Sequence, residues 1–148
     1  MYHYTECGLI NIYLKNGVEI IETPYGSASH IENIEELHKV IGADIVCNKP
    51  TLNPSEFRFL RKELNMTQKT IGDIVGKEAQ TVAKWEKGDV PVPKSVCVII
   101  RKLYLEYIGD NKPLQELVEH INHLDILING DETRTFEETE DGWKADAA

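Results

Sequence analysis

Residues 66–76, Met66-Thr67-Gln68-Lys69-Thr70-Ile71-Gly72-Asp73-Ile74-Val75-Gly76, run directly into 77–88, Lys77-Glu78-Ala79-Gln80-Thr81-Val82-Ala83-Lys84-Trp85-Glu86-Lys87-Gly88. Thr67 is a helix-capping residue type and Gly76 a helix-ending one, so a short helix lies between them. Ile71, Ile74 and Val75 form its apolar side. A second helix is predicted over about 78–87, and Gly88-Asp89-Val90-Pro91 stops it. At helical spacing Val82 and Trp85, with Ala79, face the core. Gln80, Thr81 and Lys84 fall on the other side.

Two short helices across a tight glycine turn, the second with a polar outer face, form a helix-turn-helix layout. In such a layout the second helix enters the DNA major groove. The outer residue types suit base edges. Gln pairs bidentately with adenine, Lys donates to guanine O6 and N7, and a Thr methyl meets a thymine methyl. Gln80, Thr81 and Lys84 are therefore the expected base-contacting residues. Gln68 sits in the first turn of the preceding helix, where free backbone N–H groups favour an anion. Gln68, Lys69, Lys77 and Lys87 are the expected DNA-backbone contacts.

These residues resemble the helix-turn-helix of phage-repressor-like (XRE-type) regulators. Such proteins typically carry Ser/Thr-Gln at the start of one helix, a turn glycine, and Gln-Thr-Val-x-x-Trp-Glu-x-Gly through the next. The resemblance spans about 52–107 and implies a phosphate contact for Gln68, base contacts for Gln80, Thr81 and Lys84, a core Trp85 and a structural Glu86. Glu78 departs from the pattern, which often has a small hydroxyl residue there. The overall layout is also similar to that of MqsA-type two-domain antitoxins, whose N-terminal domains often bind zinc through paired Cys-x-x-Cys motifs. No Cys-x-x-Cys is present in this chain.

Working outward, Asn53-Pro54-Ser55-Glu56 starts a helix by N-cap, N1 proline and capping box together, with Phe57, Leu60 and Leu64 apolar. Pro93 opens a helix to about Tyr107, and Pro113 begins another with Leu114, Leu117, Val118, Ile121 and Leu124. Val96, Ile99, Ile100, Leu103, Tyr104, Tyr107 and Ile108 make a broad apolar surface, which either folds back on the DNA-binding helices as core or, in the preferred reading, forms a homodimer interface. Upstream, 9–14 and 18–23 are rich in strand formers. Asn16-Gly17 between them predicts a hairpin. Pro24-Tyr25-Gly26-Ser27 reads as a turn, 28–31 as a short strand and 33–46 as an amphipathic helix. Asn48-Lys49-Pro50-Thr51 reads as a linker.

The chain has 148 residues and a net charge of −9, distributed unevenly. Residues 52–102 carry ten basic and six acidic side chains, net +4, inside an otherwise acidic chain. A local basic face is the electrostatic footprint for phosphate. Residues 129–148 carry two basic and seven acidic side chains and read as a disordered tail whose removal leaves folding intact. Three widely spaced cysteines, Cys7, Cys47 and Cys97, argue against a disulfide framework and for a reducing cytoplasm. No apolar run approaches the ~20 residues of a membrane span, and the N-terminus lacks the signature of a signal peptide.

The reading is an α+β protein, with a small α+β domain over 1–50, an all-α helix-turn-helix domain over 51–108, a C-terminal helix over 109–128 and the tail. The expected function is a sequence-specific DNA-binding regulator, an autoregulating repressor acting as a homodimer on a palindromic operator. One alternative is an antitoxin that binds a toxin through 1–50, and another is a ligand-sensing regulator. No enzyme motif is present, and neither cofactor nor metal is expected. His3, Cys7, His30 and Cys47 are the residues from which a zinc site would have to be drawn. His120 and His123 share helical spacing as a histidine pair.

Overall fold

In the computed structural model, which describes residues 1–127 and 133–146, four short strands precede six helices and two further strands follow them, an α+β arrangement. It contains two compact units, Met1–Ile41 with Asp131–Ala148, and Gly42–Gly130. The second unit is thus inserted in sequence between the two pieces of the first. This division differs from the expected boundary near residue 50.

In the first unit, β1 (Tyr2–His3), β2 (Ile12–Leu14), β5 (Arg134–Thr139) and β6 (Gly142–Ala145) form one sheet in the order β1-β2-β5-β6. The β2–β5 pair is parallel, with Ile12 opposite Arg134 and Leu14 opposite Phe136. The other two pairs are antiparallel. Tyr4, Leu9, Ile12, Leu14, Leu37, Phe136 and Trp143 are buried. The expectation of a disordered acidic tail is corrected. Phe136 on β5 and Trp143 on β6 are buried while Glu137 and Glu138 stay half-exposed, so two aromatic anchors outweigh the charge.

The expected Asn16-Gly17 hairpin is also corrected. The strands β2 and β3 (Val18–Thr23) lie in different sheets, and β3 pairs instead with β4 (Gly26–Ile31). Gly17 has φ +75°, but a Cβ there would lie 2.7 Å from the Trp143 ring. Asn16 acts as a further rung beside β5. Its Nδ2 donates to the Glu138 carbonyl at 3.1 Å, and its Oδ1 accepts from the Glu138 N–H at 2.8 Å. The segment is a corner between two sheets.

Helix α1 (Ile34–Asn48) crosses the division in the chain. The second unit holds its end together with α2 (Pro54–Glu63), α3 (Gln68–Val75), α4 (Ala79–Lys87), α5 (Lys94–Tyr107) and α6 (Leu114–Leu127). The end of α1 is built in by its carbonyls. Arg101 Nη1 donates to Val46 O at 2.7 Å, and His120 Nε2 donates to Cys47 O at 2.5 Å. Both donors suit the negative end of a helix. Gly42 is required here, because a Cβ would meet the Tyr104 ring at 2.2 Å.

Segment 48–51 is not a free linker, since Lys49 is buried and pairs with Glu56 at 2.9 Å. The His120–His123 pairing also fails, because His120 turns to the α1 end while His123 is exposed. Leu117 and Ile121 of α6 are buried. Among the described residues, no helix is long and apolar enough to cross a membrane. Nor do three or more His, Cys, Asp or Glu side chains gather as a metal-ligand group there.

Candidate nucleic-acid interface

Helix α2 begins as its sequence requires. Asn53 Oδ1 accepts from Glu56 N at 2.8 Å, and Glu56 Oε1 accepts from Asn53 N at 2.9 Å. Thr67 caps α3, its Oγ1 accepting from Thr70 N at 3.0 Å. Gly76 ends α3 at φ +74°, the left-handed region where a Cβ is costly. The turn to α4 closes through Lys77 N to Gly72 O at 2.8 Å. Gly72 is needed for this approach, since a Cβ would lie 2.6 Å from the Lys77 carbonyl oxygen. Glu78 is the N-cap of α4 but makes no side-chain cap bond.

The two faces of α4 divide largely as its sequence implies. Val82 and Trp85 are buried, with Trp85 edge-on to Phe57 at 6.0 Å between ring centroids. Gln80, Lys84 and Lys87 are exposed, and Lys77 is exposed just ahead of the helix. Thr81 and Ala79 are half-buried, so Thr81 stands at the flank of the outer face. Ile74, expected in the core, is 46% exposed, while Ile71 is fully buried. Phe59 joins Phe57 and Leu60 in the core, and Leu64 is half-buried.

A carboxylate fixes the back of this arrangement. The Glu86 side chain is 4% exposed and receives Arg61 bidentately, Nε to Oε2 at 2.6 Å and Nη2 to Oε1 at 2.9 Å. Arg61 Nη1 also donates to the Met66 carbonyl at 2.9 Å. The one guanidinium therefore joins α2, the turn before α3, and α4. Gln68 Nε2 donates to Glu86 Oε1 at 3.2 Å, and Arg58 Nε lies 3.9 Å from the same oxygen.

Arg58, Gln68, Ala83, Glu86 and Lys87 line a half-open cleft of about 220 Å³. Arg61 offsets the Glu86 charge, leaving Arg58 and Lys87 as cations at the cleft. Lys69 lies apart from this group and pairs with Asp73 at 3.0 Å in open solvent, where such a pair is worth at most ~1 kcal/mol. Arg58 and Arg61 went unnoticed in the sequence. Their i, i+3 spacing on one helix was the available signal.

Residues 57–104 match the family model described as Helix-turn-helix. No curated protein and no solved structure matches the chain. The matched segment runs from within α2 through most of α5 and contains the glycine turn, the buried Trp85 and the outward Gln80 and Lys84. The chain therefore carries a helix-turn-helix domain of the phage-repressor-like (XRE) type, the DNA-binding part of a transcriptional regulator.

Proposed function

We propose that the protein reads a specific operator in the major groove with Gln80, Thr81 and Lys84. Gln68, Lys69, Lys77 and Lys87, joined by Arg58, hold the flanking phosphates. One observation carries this reading. The side chains free on α4 are the polar ones, while its opposite face is fixed by Trp85, Val82 and the Arg61–Glu86 pair. A helix held so firmly from behind presents base-reading groups at little entropic cost. Gln80 then selects adenine, Lys84 selects guanine, and Thr81, from the flank, meets a thymine methyl.

The protein acts as a homodimer on a palindromic site, because two-fold operators match two-fold proteins. Support comes from Tyr107 and Leu114, 52% and 51% exposed beside the Gly109 turn. Val96, Ile100 and Tyr104 of the same apolar surface are used up inside the protomer. The dimer is therefore drawn to the α5–α6 junction. Binding over its own promoter would occlude it and repress the gene.

The test is a titration of the protein into labelled DNA from upstream of its own coding region, at several salt concentrations. Gln80→Ala is expected to lose about 1–3 kcal/mol on the specific site with an unchanged salt slope, and Lys87→Ala to lower that slope by about one per protomer. Equal, strongly salt-dependent binding of wild type to every DNA would defeat the proposal. Wild-type affinity in Gln80→Ala would show that the assigned reading face is wrong.

A further inference from the structure

The β3–β4 ribbon pairs with no other described strand of the first unit. It is a two-stranded sheet of its own, paired from Val18–Ile31 to Thr23–Gly26. Isolated two-stranded hairpins are marginal in water. An antiparallel sheet with one solvated face should alternate apolar and polar residues. Val18-Glu19-Ile20-Ile21-Glu22-Thr23 instead places an isoleucine on each face, and neither is buried. Ile20 is 56% and Ile21 45% exposed, and Tyr25 at the tip is fully exposed.

The Ile20 face carries Ser29 opposite, whose Oγ accepts from Tyr2 Oη at 3.2 Å, and ends at buried Ile31. The other face carries Ile21 with Ala28 and Glu19 with His30. Each strand also has an outer edge of backbone groups, since the sheet contains only these two strands. Such an edge is a template for another strand.

Charge selects the occupant. The first unit holds thirteen acidic and four basic side chains, net −9, whereas the second holds twelve of each. The whole net charge of the chain therefore resides in the unit that bears the ribbon. Glu19 and Glu22 lie on β3 itself. Two such units repel each other, which disfavours pairing with a second copy, and the same field attracts a cationic polypeptide. We infer that the β3–β4 ribbon docks an extended, basic segment of a partner protein, which adds as a third strand beside Glu19 and Glu22 and covers Ile21. Main-chain bonds supply affinity in this mode and alternate side chains supply specificity. The inference does not depend on the DNA reading, since it concerns only the first unit.

The test uses the full-length isotope-labelled protein without DNA. Two probe peptides of about six residues, a typical strand length, are titrated in: one alternates Val with Lys, the other Val with Glu. The Val-Lys peptide is expected to shift and slow the exchange of amides on one edge of the ribbon. The Val-Glu peptide and the Ile21→Asp variant, its other resonances unmoved, should each bind at least about tenfold more weakly. Shifts spread over all acidic surfaces, with ribbon exchange unchanged, would reduce the effect to general charge attraction and overturn the proposal. Absence of binding by the Val-Lys peptide would overturn it as well. Concentration-dependent broadening confined to the ribbon, without peptide, would assign the edge to a second copy instead.

Discussion

Glu86 is an acid on the helix proposed to read DNA, and its neighbours make it tolerable. Arg61 meets it with two bonds and Gln68 with a third, so the site gains a fixed frame instead of a repulsive charge. Removing one partner of a buried pair leaves the other uncompensated. Glu86→Ala is therefore expected to cost about 3–5 kcal/mol in chemical denaturation, far more than an exposed acid would. A loss below about 1 kcal/mol, the scale of exposed pairs, would mean that Arg61 finds water instead. Gly72 makes a different demand. Gly72→Ala forces a methyl against the Lys77 carbonyl and is expected to cost about 1–3 kcal/mol, read from the same denaturation curve. Unchanged stability would show that the turn opens without strain.

Among the elements, those announced by local chemistry were legible. The Asn53–Glu56 capping box, the Thr67 cap and the left-handed Gly76 each depend on residues within a few positions. The β-elements depend on partners far away, and Asn16-Gly17 misled for that reason. Its turn chemistry is sound, but the Trp143 ring, over a hundred residues on, decides what it joins. The strands β5 and β6 were hidden by acidic composition, although a signal was present. Thr23-Pro24-Tyr25-Gly26 and Thr139-Glu140-Asp141-Gly142 share the pattern Glu-Thr-x-x-Gly with the residue before each. In both turns the Thr Oγ1 donates to the Gly carbonyl, at 2.6 and 2.8 Å, and accepts from the N–H two residues on. Phe136→Ala tests the strand assignment. Each unit holds one tryptophan, Trp143 in the first and Trp85 in the second. The Trp143 fluorescence transition, followed with Trp85→Phe as background, should be destabilised by about 3–5 kcal/mol. An unmoved Trp143 transition would return 133–146 to the status of a tail.

At the scale of the whole molecule, charge and topology separate two tasks. The second unit is neutral overall yet gathers Arg58, Lys77, Lys84 and Lys87 about α4. The first unit carries the full negative charge, which repels phosphate. If the proposed dimer forms at the α5–α6 junction, Tyr107→Asp is expected to shift sedimentation toward the monomer and weaken operator binding while leaving the helical spectrum intact. A variant that stays dimeric would place the interface elsewhere. The parallel β2–β5 pair has one more consequence, which concerns time. Ile12 waits for Arg134, 122 residues later, and translation at about 5–20 residues per second makes that wait roughly 6–24 s. The helix-turn-helix segment is fully synthesised within that interval, while the N-terminal strands still lack their neighbour. A ribosome that stalls before residue 134 would thus hold a chain able to fold its DNA-binding half with the acidic half still open.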